Sequence, residues 1–244
     1  MSVLAWEGCL NVRDLGGHPT EDGAVTRHGV VVRADALHRL SDAGWRSLAD
    51  YGVTRIVDLR FHDEREADPP HEVPAELVHV ALLGAERDPD YFELLNRQLD
   101  RAADAAEYLR WSYLEFLERF RDNFASAVRA VATAPGTVLV HCVGGKDRTG
   151  LVVALLLRLS GVSIERIDED YAVSELNLDD AAWIAEAPDE VEAERRRRLC
   201  RSPGGVMADV LRELEGRHDS VRAYLLGAGS TEAELDGIRE RLRA

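Results

Sequence analysis

The chain has 244 residues, 45% hydrophobic and 31% charged, enough for one large domain or two small ones around a real core. Its formal net charge of -15 argues against general nucleic-acid binding, which wants basic faces, while leaving room for a small basic pocket. The three cysteines, Cys9, Cys142 and Cys200, stand in no CxxC or Cys/His spacing, which argues against structural zinc and suits a reducing compartment.

The opening MSVLAWEGCLNVRDLGG lacks a basic lead and a long apolar run, so no signal peptide is expected. Apolar runs such as 151–157 are too short to span a bilayer. The expected location is the cytoplasm, with export by a route lacking a cleaved signal left open. Residues 29–33 (GVVVR), 53–59, 76–83 and 137–141 (TVLVH) read as short strands rich in β-branched residues. Between the first two, residues 41–52 read as a helix that Ser41 caps and Gly52 ends. From 89 to 134 the pattern is helical, with Tyr113, Phe116, Leu117, Phe120, Phe124, Val128 and Val131 on one face and a break near 105–109 giving two helices. This insertion either packs on the sheet or, over 90–107, forms a mobile cover.

Beyond Leu151 the chain reads as helices at 149–160, 163–176, 179–200, 204–215, 218–227 and 231–243. The basic run Arg195–Arg198 follows Glu190, Glu192 and Glu194, so pairing along the helix accounts for it. Strands alternating with helices predict an α/β fold: a central, largely parallel sheet flanked by helices, a helical insertion and a helical C-terminal part. No composition shift marks a boundary, so residues 1–244 read as a single domain.

The stretch VLVHCVGGKDRTGLVVALLL, 138–157, runs from a buried strand through a short polar loop into a helix apolar nearly all round. Ligands of α/β sheets bind at that edge of the strands. The loop N–H groups of Val143, Gly144, Gly145, Lys146, Asp147 and Arg148, with the helix dipole, predict a cradle for a tetrahedral anion such as phosphate. Arg148 adds a planar fork of donors for two phosphate oxygens. A thiol at Cys142 inside that field is expected to ionise well below the usual value of about 8.5. It is then placed to attack phosphorus and form a cysteinyl-phosphate, later hydrolysed by water. Thr149 can donate its hydroxyl to the sulfur and ease its departure, and His141 can fix the loop without acting as a base.

HCVGGKDRTG carries the C-x5-R signature of cysteine-dependent phosphatases. With its internal Lys-Asp it resembles the bacterial tyrosine phosphatase family with an HCxxGKDRTG loop, of the mycobacterial type. NVRDLGG at 11–17, VDLR at 57–60 with Glu64, and AYLLGAG before SxxEL fit the same family. The resemblance implies a protein-tyrosine-phosphatase-like fold. It also implies action on phosphotyrosine protein, with dual-specificity (Ser/Thr/Tyr) or phosphoinositide activity as the alternative, and inorganic phosphate as product. It carries the general-acid role to Asp147, with Asp63, Asp88 and Asp90 as rivals. Asn11, Arg13 and Asp14 are expected to support the loop, against the alternative of an ordinary Gly-Gly turn.

Arg60 and Glu64 lie beyond a strand at the same sheet edge and are expected to pair with each other, and Asp58 to brace a nearby backbone or Arg. Lys146 has two readings: binding a second substrate phosphate, or raising the local positive potential. Cys9 and Cys200 read as small buried apolar residues, with a disulfide to Cys142 left open. The histidines at 18, 28, 38, 62, 71, 79 and 218 show no metal spacing, and no metal or organic cofactor is expected. A rhodanese-like sulfurtransferase, which also places a cysteine between strand and helix, is the distant alternative, disfavoured by the Arg-Thr-Gly ending.

Overall fold

A computed structural model describes residues 2–68, 73, 75–178 and 181–243. The strands are β1 (Ser2–Val3), β2 (Arg13–Asp14), β3 (Val31–Ala34), β4 (Val53–Asp58), β5 (Glu76–His79) and β6 (Thr137–His141). They form one sheet in the order β1-β2-β3-β6-β4-β5. β3, β6, β4 and β5 are mutually parallel, while β1 and β2 run antiparallel at one edge. The sheet is thus the largely parallel one expected.

β6 lies at the centre because the middle of TVLVH is apolar on both faces. Its Val138, Leu139 and Val140 are fully buried, the signature of a strand covered on both faces. Alternation along the strands divides the core in two. Val31, Val57, Val138 and Val140 join the larger cluster, with the helices of the insertion and the C-terminal half. Val32, Ile56 and Leu139 face the smaller one, with Trp6, Leu37, Leu40 and Leu48.

Helix α1 (Asp42–Asp50) matches the expectation: the Ser41 side chain accepts from Gly44 N, and Gly52 follows at φ +81°. After β4 comes α2 (His62–Ala67). β5 stops at His79, four residues early, because Gly84 N turns back to Ala81 O at 3.0 Å. The insertion forms three helices where two were expected: α3 (Pro89–Arg101), α4 (Ala105–Arg119) and α5 (Arg121–Ala132). Phe120, at φ -112° and ψ 27°, interrupts the last two. The apolar stripe hides this break, since Tyr113, Phe116 and Leu117 on one side and Phe124, Val128 and Val131 on the other enter the same core.

Helix α6 (Asp147–Leu159) begins two residues earlier than expected and is buried from Thr149 to Leu157. The expected 163–176 helix splits into α7 (Ile164–Ala172) and α8 (Ser174–Asn177). The expected 179–200 helix starts outside the described residues and is then two helices, α9 (Ala181–Ala185) and α10 (Glu190–Cys200). Pro188 separates them, and Asp189 caps the second by accepting from Glu192 N. α11 (Val206–His218), α12 (Val221–Gly227) and α13 (Glu232–Leu242) complete the chain. His71 also lies outside the described residues.

The 90–107 segment is docked. Tyr91, Leu95 and Leu99 of α3 are buried in the larger core. α10 grips its end, with Arg195 paired to Asp100 and Arg198 donating to the carbonyls of Leu99, Ala102 and Ala103. Pairing along the helix holds for the whole basic run, Arg195 and Arg196 with Glu192 and Arg197 and Arg198 with Glu194, and Arg195 and Arg198 reach α3 as well.

Candidate active site

Four parallel strands end at the same edge, and the loop after β6 crosses it. Its carbonyls are all turned toward the protein. Val143 O accepts from Ala36 N at 2.8 Å, Gly144 O from Asn11 Nδ2 at 3.0 Å, Gly145 O from Arg33 Nη2 at 2.7 Å, and Lys146 O from Gly150 N at 2.9 Å. Because each peptide is planar, an outward carbonyl sends the following N–H the other way. Among the described residues the N–H groups of Val143, Gly144, Gly145 and Lys146 meet no acceptor, and those of Asp147, Arg148 and Thr149 are first-turn donors of α6. Gly145, at φ +63°, allows this curl: a Cβ there would lie 2.5 Å from Ala34 O.

A buried charge cluster holds the loop from behind. Asp170 on α7 pairs with Arg13 at 3.3 Å and with Arg33. Arg13 also donates to Asn11 Oδ1, Asp170 O and Ser174 Oγ. Burial alone would raise the Asp170 carboxyl, but Arg33 and Arg13 reverse this and hold it low. Burial pulls Arg13 down, helped by neighbouring Arg33, to about 10. Asp35 fixes the entering chain by accepting from the N–H groups of Leu10 and Asn11. Asn11 and Arg13 therefore sit where expected. Asp14 does not: it accepts from Gly16 N, Gly29 N and Tyr51 OH, so it fastens the β2–β3 turn instead.

Cys142 is buried at the end of β6, and all three cysteines are free thiols. Cys9 and Cys200 are only half-buried, less enclosed than expected, and Cys9 donates to Ala36 O. His141 Nδ1 contacts Cys142 O at 3.1 Å, and its Nε2 lies 3.7 Å from Asp58. Burial depresses the imidazole to about 4, with Asp58 opposing only in part, so it is neutral at pH 7. Burial pushes Asp58 up, but the Arg60 bonds and the His141 interaction outweigh it and leave its pKa at about 2.

Arg60 and Glu64 do not form the side-chain pair expected of them. Arg60 forks onto Asp58 at 3.0 and 2.9 Å and reaches Asp68 at 2.6 Å. Glu64 instead takes both terminal nitrogens of Arg148, at 2.5 and 3.1 Å, and accepts from Arg87 at 2.9 Å. The difference follows from α2, which turns Glu64 back over its own N-terminus, where it also accepts from Phe61 N. Burial pushes Glu64 up and the Arg148 bonds more than reverse it. Burial works against the Arg148 charge, yet Cys142 and Glu64 beside it raise its pKa.

Lys146 turns inward, against the reading in which it binds a second substrate phosphate. Only 2% exposed, it donates to Leu199 O and, at 2.9 Å, to Arg201 O at the C-terminal end of α10, and lies 3.3 Å from Asp147 Oδ1. A cation suits a helix C-terminus, where carbonyls lack partners. Asp147 accepts from Tyr113 OH at 2.5 Å, and Tyr113 OH meets Tyr171 OH at 2.9 Å. Thr149 Oγ1 is buried and bonds to neither Cys142 Sγ nor any other group among the described residues.

The rival acids are occupied elsewhere. Asp63 pairs with Arg87 at 2.9 Å, and Asp88 caps α3 by accepting from Asp90 N and Tyr91 N. Asp90 lies in the exposed first turn of α3. Sequence reasoning passed over Arg33, Asp170, Tyr113 and Tyr171. Arg33 had a signal: a charge inside GVVVRA must find a partner if the strand is central. The others are brought in by tertiary packing. Among the described residues no group of three His, Cys, Asp or Glu is assembled for a metal, and no helix is long and apolar enough to cross a membrane.

A tyrosine-protein phosphatase of Nostoc commune is 30% identical over 86% of this chain and 73% of its own length. The triple specificity protein phosphatase PtpB of Mycobacterium tuberculosis is 29% identical over 98% of each chain. A crystal structure of P. aeruginosa TpbA in complex with pTyr covers 72% of this chain and 90% of its own at 18% identity, with a TM-score of 0.32 too low to carry weight. The model described as "Tyrosine phosphatase family" matches residues 4–244, and the chain belongs to that family of hydrolases.

Proposed function

We propose that this protein removes phosphate from phosphotyrosine in proteins through a cysteinyl-phosphate on Cys142, with inorganic phosphate as product. The observation that carries the reading is the loop whose carbonyls are all bonded outward, so that its N–H groups surround the space beside the thiol. Those donors and the field of α6 favour the thiolate and hold the equatorial oxygens as charge shifts in the transition state. Arg148 supplies the remaining donors. Thr149 has a free hydroxyl for the sulfur as it leaves in the second step. Asp147, in the first turn of α6, is the acid for the leaving oxygen. The whole chain acts as one catalytic unit, and the cytoplasm is its proposed site of action.

Phosphotyrosine is preferred to polyphosphorylated inositides because Lys146, the one loop cation besides Arg148, is spent on α10 carbonyls rather than offered to a second phosphate. Two relatives set the range to be tested, a tyrosine-protein phosphatase and a triple specificity phosphatase by name.

The test has two arms. Cys142→Ser should abolish turnover while phosphate still binds; retained hydrolysis refutes the nucleophile. A panel of phosphotyrosine, phosphoserine and phosphothreonine peptides with mono- and polyphosphorylated inositides should give the highest kcat/KM for phosphotyrosine. A lipid at the top of that panel overturns the substrate class.

A further inference from the structure

The Asp147 carboxylate is not symmetric. Tyr113 OH donates to Oδ1 at 2.5 Å, and Lys146 Nζ approaches the same oxygen at 3.3 Å. Among the described residues Oδ2 has no partner, and the side chain is 42% exposed, so this edge can meet a ligand. Counting hydrogens gives direction to the chain behind it. A phenol carries one proton, and Tyr113 spends it on a carboxylate that only accepts. Tyr171, 2.9 Å away, is therefore the donor to Tyr113. The relay runs Tyr171 to Tyr113 to Asp147 Oδ1, and each bond polarises the next. Both rings are buried, Tyr113 and Tyr171 at 1% exposure each, and stack edge to face with centroids 6.0 Å apart. Their burial, with the Asp147 charge beside them, raises both phenols above their usual range, so both stay protonated donors.

We propose that Tyr113, backed by Tyr171, is a positioning residue that locks Asp147 through Oδ1 and thereby assigns Oδ2 as the atom that delivers the proton. This rests on Asp147 being the general acid. In the first step the Cys142 sulfur forms the S–P bond as the ester P–O bond breaks. The electron pair goes to the leaving oxygen, which takes the proton from Oδ2. In the second step water attacks phosphorus, Oδ2 takes the water proton, and the S–P pair returns to sulfur. Oδ1 accepts from Tyr113 whether or not Oδ2 carries a proton, so the lock survives the whole cycle.

A good leaving group needs no proton, which separates positioning from structure. Tyr113→Phe removes one oxygen and keeps the ring packed. It should lower kcat/KM about tenfold on phenyl phosphate and less than about twofold on dinitrophenyl phosphate. Tyr171→Phe, which does not touch Asp147, should give a smaller change in the same sense. In an Asp147→Asn background Tyr113→Phe should cost nothing further. Equal losses on both esters in Tyr113→Phe, or a full additional loss in the Asp147→Asn background, would overturn the positioning role while leaving Asp147 as the acid. If Asp147→Asn itself affects both esters equally, the acid assignment falls, and the proton-delivery role of Oδ2 falls with it.

Discussion

Glu64 holds Arg148 end-on through both terminal nitrogens, at 2.5 and 3.1 Å. A guanidinium has five N–H donors, and this grip uses two of them. The side edge formed by Nε and one terminal nitrogen keeps its donors for two phosphate oxygens, so the clamp orients Arg148 without consuming it. Phe61, 5.2 Å below the guanidinium carbon, closes the other face.

Breaking this clamp should therefore weaken the transition state more than the fold. Glu64→Ala removes both acceptors that orient Arg148, and the lost orientation should cost about 1–3 kcal/mol of transition-state stabilisation. The expected result is a fall in kcat/KM of about tenfold to a hundredfold, with a much smaller effect on Tm because no side chain of α2 is buried. Glu64→Gln keeps one acceptor and should fall between. Steady-state kinetics on a phosphotyrosine peptide check this, and unchanged kcat/KM would show that the clamp does not orient the arginine.

Gly145 is where the backbone itself sets the chemistry. Its φ is +63°, and any Cβ would press on Ala34 O at 2.5 Å. Gly145→Ala must shift the loop off β3 and loosen the Arg33 bond to Gly145 O. Strain of about 1–3 kcal/mol is expected, with phosphate binding and turnover both lost by more than about tenfold. Phosphate inhibition constants and thermal melts measure the two effects. Gly144→Ala is the contrast: its nearest neighbour would be Leu178 at 3.7 Å, so it should be tolerated.

Much of this centre was legible because local chemistry fixes it. A buried strand, two glycines and a buried helix leave the chain few ways to pass from Val140 to Thr149. What could not be read was which partner each charge would take. Arg60 and Glu64 stand four apart in sequence, yet Arg60 turns to Asp58 and Asp68, while Arg148, from 84 residues away, claims Glu64. Lys146 was misread for the same reason. Its partners are backbone carbonyls of α10, more than 50 residues on, and carbonyls leave no mark in a sequence. The break at Phe120 was hidden because periodicity reports the face a segment buries, not whether it is one helix or two.

His141 makes stability depend on pH in a defined window. Its folded pKa is about 4, against about 6.5 in the unfolded chain. The unfolded state thus binds the extra proton between these values. The contribution from a neutral His141 is complete above pH 6.5 and is lost as pH falls to about 4, by up to about 3 kcal/mol. Asp58, at about 2, stays ionised throughout. Denaturant titrations of the protein and of His141→Asn should differ in slope across this window and run parallel above it. A constant difference at every pH would mean the imidazole does not titrate with unfolding.

The last test separates the two readings of Lys146. Its ammonium donates to Leu199 O and Arg201 O, and Asp147 Oδ1 lies 3.3 Å away as an ion-pair partner. A side chain so engaged serves the fold: it ties the loop to α10, whose Arg195 and Arg198 in turn hold α3. Lys146→Met fills the same space but leaves two carbonyls without a donor, so a stability loss of about 1–3 kcal/mol is expected. Turnover should fall somewhat, because Oδ1 of Asp147 loses one neighbour. The ratio of kcat/KM for a phosphotyrosine peptide to that for a polyphosphorylated inositide should change by less than about twofold, since a residue that never meets the substrate cannot discriminate between substrates. A tenfold rise in that ratio would instead mean that the ammonium leaves α10 to bind a second phosphate, and the preference for phosphotyrosine would lose its physical basis.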